Sequence, residues 1–308
     1  MINGIINVYK EEGFTSNDVI AKMRGILRQR RIGHTGTLDP AAVGVLPVLL
    51  GHATKISEYM MDHKKTYRAV MALGVVTDTQ DLTGKILETS PSSHLSREQI
   101  LEAVLSFEGG YYQIPPMYSA KQIGGKRLYD LAREGKVVER KPVFVGIDAI
   151  NVESTDLLPE HKPFAEVTFT VDCSKGTYIR TLCHDIGRKL GCGASLAQLT
   201  RTRIGGFDIS DAVTLGQMED MVLQGTIMSK VIPVEEMFLD KFRASTVSDE
   251  ADRKLQNGNF LLTEEIGLPK RGAGDLIRVC TQDGNFLGVY RFCLEQSAYY
   301  PYKMFLES

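Results

Sequence analysis

The chain has 308 residues, 43% hydrophobic and 24% charged, with a formal net charge of −2 at neutral pH. No apolar run reaches the ~20 residues that cross a bilayer, and residues 1–7 lack the basic region and apolar core of a secretion signal, which excludes a membrane-spanning helix and a secreted product. Five cysteines (Cys173, Cys183, Cys192, Cys280, Cys293) with no Cys-x-x-Cys pair argue against a disulfide framework or structural zinc and for a reducing cytoplasm.

Residues 2–8 read as a short strand, and Ser16 or Asn17 as the cap of a helix to about Arg28 with Val19, Ile20, Met23, Ile26 and Leu27 on one face. Then comes Gly33-His34-Thr35-Gly36-Thr37-Leu38-Asp39-Pro40, closed by Gly44. Glycine and proline together predict a stiff, tight turn that presents Asp39 rigidly. A nucleophile or base needs such a carboxylate, although an Asx-turn or cap residue would look the same. Residues 45–50 are apolar, 54–61 read as helix, and 67–75 as strand. Thr77-Asp78-Thr79-Gln80-Asp81 with Gly84 is a polar turn, and Ser96 with Gln99 is a capping box opening a helix to Phe107. Pro115-Pro116 breaks the chain before a basic, glycine-containing stretch to Pro142, read as a mobile insertion.

Residues 164–173 alternate as a strand, Ser174-Lys175-Gly176 turns, and residues 179–190 form a helix ending at Gly191. The texture changes after Met237, where residues 276–279 and 286–292 are strands joined at Gln282-Asp283-Gly284-Asn285. A domain boundary is placed near residue 236, and helices and strands interleave without a βαβ rhythm, which predicts α+β. Residues 1–150 carry 19 Lys and Arg against 16 Asp and Glu, and residues 151–308 carry 17 against 22. The cations bunch at Lys22–Arg31, Lys64–Arg68 and Lys121–Lys141, stripes suited to phosphates or to solvated helix faces.

Four separated segments carry the chemistry: the Asp39 loop; Lys64-Lys65-Thr66-Tyr67-Arg68; Lys175-Gly176-Thr177-Tyr178-Ile179-Arg180; and residues 196–203, where Leu196 and Leu199 lead into Thr200-Arg201-Thr202-Arg203. With Gly74 and Asp81, Ile114-Pro115-Pro116-Met117-Tyr118-Ser119-Ala120, and Leu190-Gly191-Cys192-Gly193-Ala194, these resemble the TruB family of stand-alone bacterial tRNA pseudouridine-55 synthases over most of residues 1–205. Residues 239–308 resemble a small PUA-like RNA-binding domain more weakly.

That resemblance implies an α+β fold with a mixed, mainly antiparallel sheet, an RNA-gripping insertion at about 115–142 within a catalytic domain 1–236, and a β-barrel-like domain 237–308. It implies conversion of a uridine in the T-arm loop of tRNA to its C-glycoside isomer, with no redox cofactor, metal or ATP. Asp39 is then the catalytic carboxylate, attacking sugar or base or removing a sugar proton. Arg180 pairs with it and keeps it ionised in a pocket that the base makes dry. Tyr67 stacks on the flipped uracil with its oxygen where C5 loses a proton, unless it is simply a core tyrosine. Tyr178 and Leu199 are pocket walls, with ordinary packing nearly as good a reading of Leu199. The loop residues Thr35 and Gly36 line the substrate site, His34 stacks into the vacated position or makes local hydrogen bonds, and Lys10 is a basic residue near the pocket. Flipping the uridine costs a few kcal/mol. Val43 departs from the small hydroxylic residue common there in the family, which alters bracing rather than chemistry.

Expected partners are tRNA alone, with no guide RNA, since the chain begins almost at the catalytic region and lacks long basic tails; a monomer is the default. A tRNA-folding chaperone on the same scaffold, a guide-dependent synthase and a uridine glycosylase are the competing readings.

Overall fold

The computed structural model describes residues 1–61, 63–119, 121–157, 163–267 and 272–306; Ala120 of the Ile114-to-Ala120 motif lies outside them. In chain order, Gly4–Lys10 (β1) leads to a helix at Ser16–Ile26 (α1). The cap is Thr15, one residue before the expected pair. Its hydroxyl accepts from the Asp18 N–H, while the Asp18 carboxylate takes the Thr15 N–H. This reciprocal box satisfies two orphan donors and frees Ser16, whose buried hydroxyl accepts from the Leu38 N–H at 2.9 Å instead.

Ile32–His34 (β2), Val43–Leu50 (β3), Ser57–Met61 (α2) and Lys65–Leu73 (β4) follow. A short pair, Val75–Thr77 (β5) and Ile86–Thr89 (β6), flanks the polar turn, and Arg97–Leu105 (α3) starts on the Ser96/Gln99 capping box. Tyr111–Gln113 (β7) precedes the basic stretch, which holds a hairpin of Gln122–Ile123 (β8) and Lys126–Arg127 (β9) and a helix Leu128–Arg133 (α4). Leu128 and Leu131 are buried, so the insertion has an apolar anchor that its composition hides. Then come Val143–Val145 (β10), Ile147–Asp156 (β11), Glu166–Cys173 (β12), Ile179–Leu190 (α5), Ala194–Ile204 (β13), Phe207–Asp208 (β14) and Leu215–Leu223 (α6). Gly191 ends α5 in the left-handed conformation, φ 74°, where a Cβ would be strained.

The main sheet runs β1-β3-β13-β4-β12-β11, with β2 on β3 and β14 on β13. Only β3 and β13 pair in parallel there, so the sheet is mixed and mainly antiparallel. Alternation along each strand sorts the core. Ile6 and Val8 of β1 and Leu46, Val48 and Leu50 of β3 face α1 and α6. Tyr67, Ala69 and Met71 of β4 and Val167, Phe169 and Val171 of β12 face α3 and α5.

The second sheet is built from Ala244–Thr246 (β15), Leu261–Leu262 (β16), Leu276–Cys280 (β17), Phe286–Cys293 (β18) and Ala298–Met304 (β19), ordered β15-β17-β18-β19-β16, with short helices at Asp249–Gln256 (α7) and Thr263–Ile266 (α8). Its Val289, with Phe305 just beyond β19, joins Ile5, Val45 and Leu49, the opposite faces of β1 and β3, in one apolar cluster with Phe238. The two sheets therefore share core across a wall of aromatic rings. Among the described residues, no helix is long and apolar enough to cross a membrane, and all five cysteines are free.

Candidate active site

The Asp39 loop hangs between β2 and β3 and is braced through its backbone. The Leu38 N–H donates to Ser16 Oγ at 2.9 Å, the Gly13 N–H to the Pro40 carbonyl at 2.9 Å, and the Ala42 N–H to the Asp39 carbonyl at 3.0 Å. Below it, Lys10 is fully buried and its Nζ donates to the carbonyls of Glu11 (3.0 Å), Phe14 (2.6 Å) and Pro40 (3.1 Å). These three bonds use every donor of an ammonium. Burial nevertheless pulls the Lys10 pKa down to about 8, against the pull of Asp39 in the other direction. Gly44 at φ +106° is required because a Cβ there would meet the Arg201 carbonyl at 2.3 Å.

A cavity of about 510 Å³ opens over this loop, lined by Thr35 to Asp39, Met61, Lys65, Tyr67, Ser119, Lys175 to Arg180, Leu199 and Arg201. Asp39 and Arg180 meet in it, with Arg180 Nη2 3.0 Å from Asp39 Oδ2. The guanidinium is held from three more sides: Nη1 donates to the Thr79 carbonyl at 3.2 Å and lies 3.5 Å from Asp81 Oδ2, and Nη2 donates to the Tyr118 carbonyl at 3.0 Å. Asp81 is fixed in turn by Thr79 and by the Thr83 N–H and hydroxyl. The polar turn at 77–84 is thus the outer support of the ion pair.

The Arg180 side chain is 7% exposed and that of Asp39 44%. The carboxylate is open toward the cavity, and a bound base would complete its burial. Burial raises the Asp39 pKa above the ordinary aspartate value; Arg180 and Lys10 oppose the rise and Asp81 adds to it. If the ionised form is the active one, turnover falls on the acid side at a higher pH than for an ordinary aspartate. A pH series of single-turnover rates checks this; an acid limb at or below the ordinary aspartate value would contradict it.

Tyr178 caps α5, and its backbone is clamped by Gln113, which accepts from the Tyr178 N–H at 2.8 Å and donates to its carbonyl at 3.0 Å. The Tyr111 hydroxyl accepts from Gln113 and donates to Asp185, completing a half-buried scaffold under the helix start. Across the cavity, β13 pairs with β4 through Leu199↔Ala69 and Arg201↔Tyr67, between two register irregularities that re-aim the strand.

Of the expected site residues, Asp39, Arg180, Tyr67, Tyr178, Leu199, Thr35 and Gly36 come together around the cavity. Lys10 and His34 do not line it. Lys10 is beneath the loop, spent on carbonyls. His34 sits on β2 with Nδ1 accepting from the Gly36 N–H at 3.3 Å, and burial together with the Arg201 charge lowers its pKa, favouring neutral imidazole. Asp81, Gln113 and Arg201 take part in the site without a role legible in the sequence, although Asp81 and Arg201 belong to segments that carry the family resemblance. Val43 heads β3 and pairs with Thr200, a bracing position away from the cavity lining.

The family model described as TruB family pseudouridylate synthase, N-terminal domain, matches residues 24–179, and that of the tRNA pseudouridylate synthase B C-terminal domain matches residues 180–239. The tRNA pseudouridine synthase B of Lachnoclostridium phytofermentans is 45% identical over 99% of this chain and 100% of its own length. That of Bacillus subtilis is 41% identical over 94% of this chain and 93% of its own. Among solved structures, a crystal structure of a Cbf5-Nop10-Gar1 complex matches with TM-score 0.69 and 26% identity, covering 98% of this chain and 85% of that one.

Proposed function

The chain belongs to the TruB family of pseudouridylate synthases, and we propose that Asp39, Arg180 and Tyr67 carry the family's reaction in it. The protein is an isomerase of tRNA that converts uridine-55 of the T-arm loop to pseudouridine. The N1–C1′ bond breaks, the base turns, and C5 bonds to C1′, so that one hydrogen leaves C5 and one arrives at N1.

The observation that carries the assignment is the 3.0 Å Asp39–Arg180 pair lining a cavity of about 510 Å³. Attack on the sugar C1′, attack on the base and removal of a sugar proton all consume the carboxylate's charge. Each therefore needs it ionised, which Arg180 favours. Tyr178 and Leu199, which line the cavity, wall the flipped base, and Thr35 and Gly36 of the loop contact it. Tyr67, buried beside them, places its oxygen for the C5 proton. His34, half-buried on β2 beside the cavity-lining loop, fills the vacated stack; Lys10 acts from beneath by holding the loop backbone.

The catalytic domain ends at about residue 236, and residues 237–308 form a PUA-like RNA-binding unit. The insertion at 115–142 grips the RNA backbone through its exposed Lys126, Arg127, Arg133, Lys136 and Lys141. The chain acts in the cytoplasm as a monomer, without metal and without a guide RNA. Identities of 41–45% to bacterial tRNA enzymes, against 26% to the Cbf5 complex, favour the last point.

Carbodiimide mapping of an unmodified tRNA transcript after incubation tests this reading. A single reverse-transcription stop from position 55 is expected. Tyr67→Phe should keep tRNA binding and lose on the order of 10²–10⁴-fold in rate. Stops at other uridines with none at 55, or full activity in Tyr67→Phe, would overturn the corresponding assignment.

A further inference from the structure

Arg201 is a fully buried arginine with no carboxylate at ion-pair distance among the described residues. Its Nε donates to the Val45 carbonyl at 2.7 Å and its Nη2 to the Gly36 carbonyl at 3.4 Å, while Nη1 is buried with no hydrogen-bond partner among the described residues. Such a charge is costly without an anion. The charged and titratable groups whose fields meet it are Lys10, another cation; His34, whose neutral form it favours; and Tyr67. Arg201 and Tyr67 are direct cross-strand partners on β13 and β4, so their side chains stand on the same face of the sheet. Both line the cavity.

Resting on the reading of Tyr67 given above, we propose that Arg201 is a positioning residue for the proton-transfer step: its guanidinium fixes the Tyr67 oxygen and stabilises the phenolate that takes the proton from C5. The phenol loses its proton to solvent. Once C5 has bonded to C1′, leaving C6 doubly bonded to N1, the phenolate oxygen bonds the C5 hydrogen, the C5–H electron pair becomes the C5=C6 double bond, the N1=C6 pair moves onto N1, which takes a proton from solvent, and Tyr67 is again a phenol. Burial raises the Tyr67 pKa above that of an ordinary phenol, the charge of Arg201 opposes the rise, and Cys173 and Asp39 add to it.

The test is the pH profile of single-turnover tritium release from uracil C5 in Arg201→Lys, Arg201→Met and Tyr67→Phe, with tRNA affinity measured alongside. Arg201→Met is expected to lose about 100-fold at pH 7.5, to bind tRNA within about threefold of wild type, and to regain rate as pH rises. Arg201→Lys should stay within about tenfold of wild type, with its basic-side rise displaced upward. If Arg201→Met does not fold, Arg201→Lys decides alone: an undisplaced profile in it overturns the inference. Loss that is equal at every pH, or wild-type rates in Arg201→Met, also overturns it. An active Tyr67→Phe would instead remove the Tyr67 role on which it rests, so the two failures are distinguishable.

Discussion

Arg180→Ala is expected to lower stability by about 3 kcal/mol, the low end for breaking a buried pair because Asp39 is half open to the cavity, and to slow turnover on the order of 10³-fold. The guanidinium serves two carboxylates and two carbonyls from a 7%-exposed position at the start of α5. Its removal leaves Asp39 and Asp81 facing each other with no cation between them. Since Arg180 is what chiefly opposes the upward push of burial on the Asp39 pKa, the acid limb of the rate profile should also move to higher pH. Lysine cannot reproduce a planar fork that reaches four acceptors, so Arg180→Lys should rescue less than tenfold. Denaturant melts and single-turnover profiles of both variants check this. Near-wild-type turnover in Arg180→Lys would mean that a point charge suffices and that the geometry of the fork is irrelevant.

Asp39→Asn is expected to remove turnover by on the order of 10⁴–10⁶-fold while leaving the fold and tRNA affinity close to wild type. The amide keeps the shape but has no charge to give to sugar or base. The loop should not move, because its braces from Ser16, Gly13 and Lys10 all act on backbone atoms, and Arg180 retains Asp81 as a counter-charge. Filter binding and single-turnover rates separate the two effects. A tenth of wild-type rate in Asp39→Asn would remove the carboxylate from the chemistry.

The legible parts of this molecule were those where local chemistry decides. The Asp39 loop announced itself because glycine and proline spacing constrains a backbone directly. Alternation at 166–173 and the capping box at Ser96 were equally local. Thr15 rather than Ser16 or Asn17 caps α1, although all three are cap-forming residues, because the tertiary bond from Leu38 occupies the Ser16 hydroxyl. Lys10 read as a basic residue near the pocket, and nothing in a lysine's neighbours along the chain shows that three carbonyls converge on it. Arg201 sat in a Thr-Arg-Thr-Arg run that looks like a solvated strand edge. Its burial depends on the parallel pairing of β13 with β3 and on the register opposite Tyr67, both set by contacts across more than 130 residues. Asp81 likewise became a partner of Arg180 only through the packing of the 77–84 turn on α5.

The most direct measurement is to incubate the protein with full-length tRNA transcript carrying tritium at uracil C5 and to follow label, nucleoside products and free uracil together. One equivalent of tritium released per tRNA, matched by one pseudouridine and no free uracil, is the result expected of an isomerase working at this site. Free uracil would make the cavity that of a glycosylase. Bound tRNA with no label released would leave a binding protein without the isomerisation.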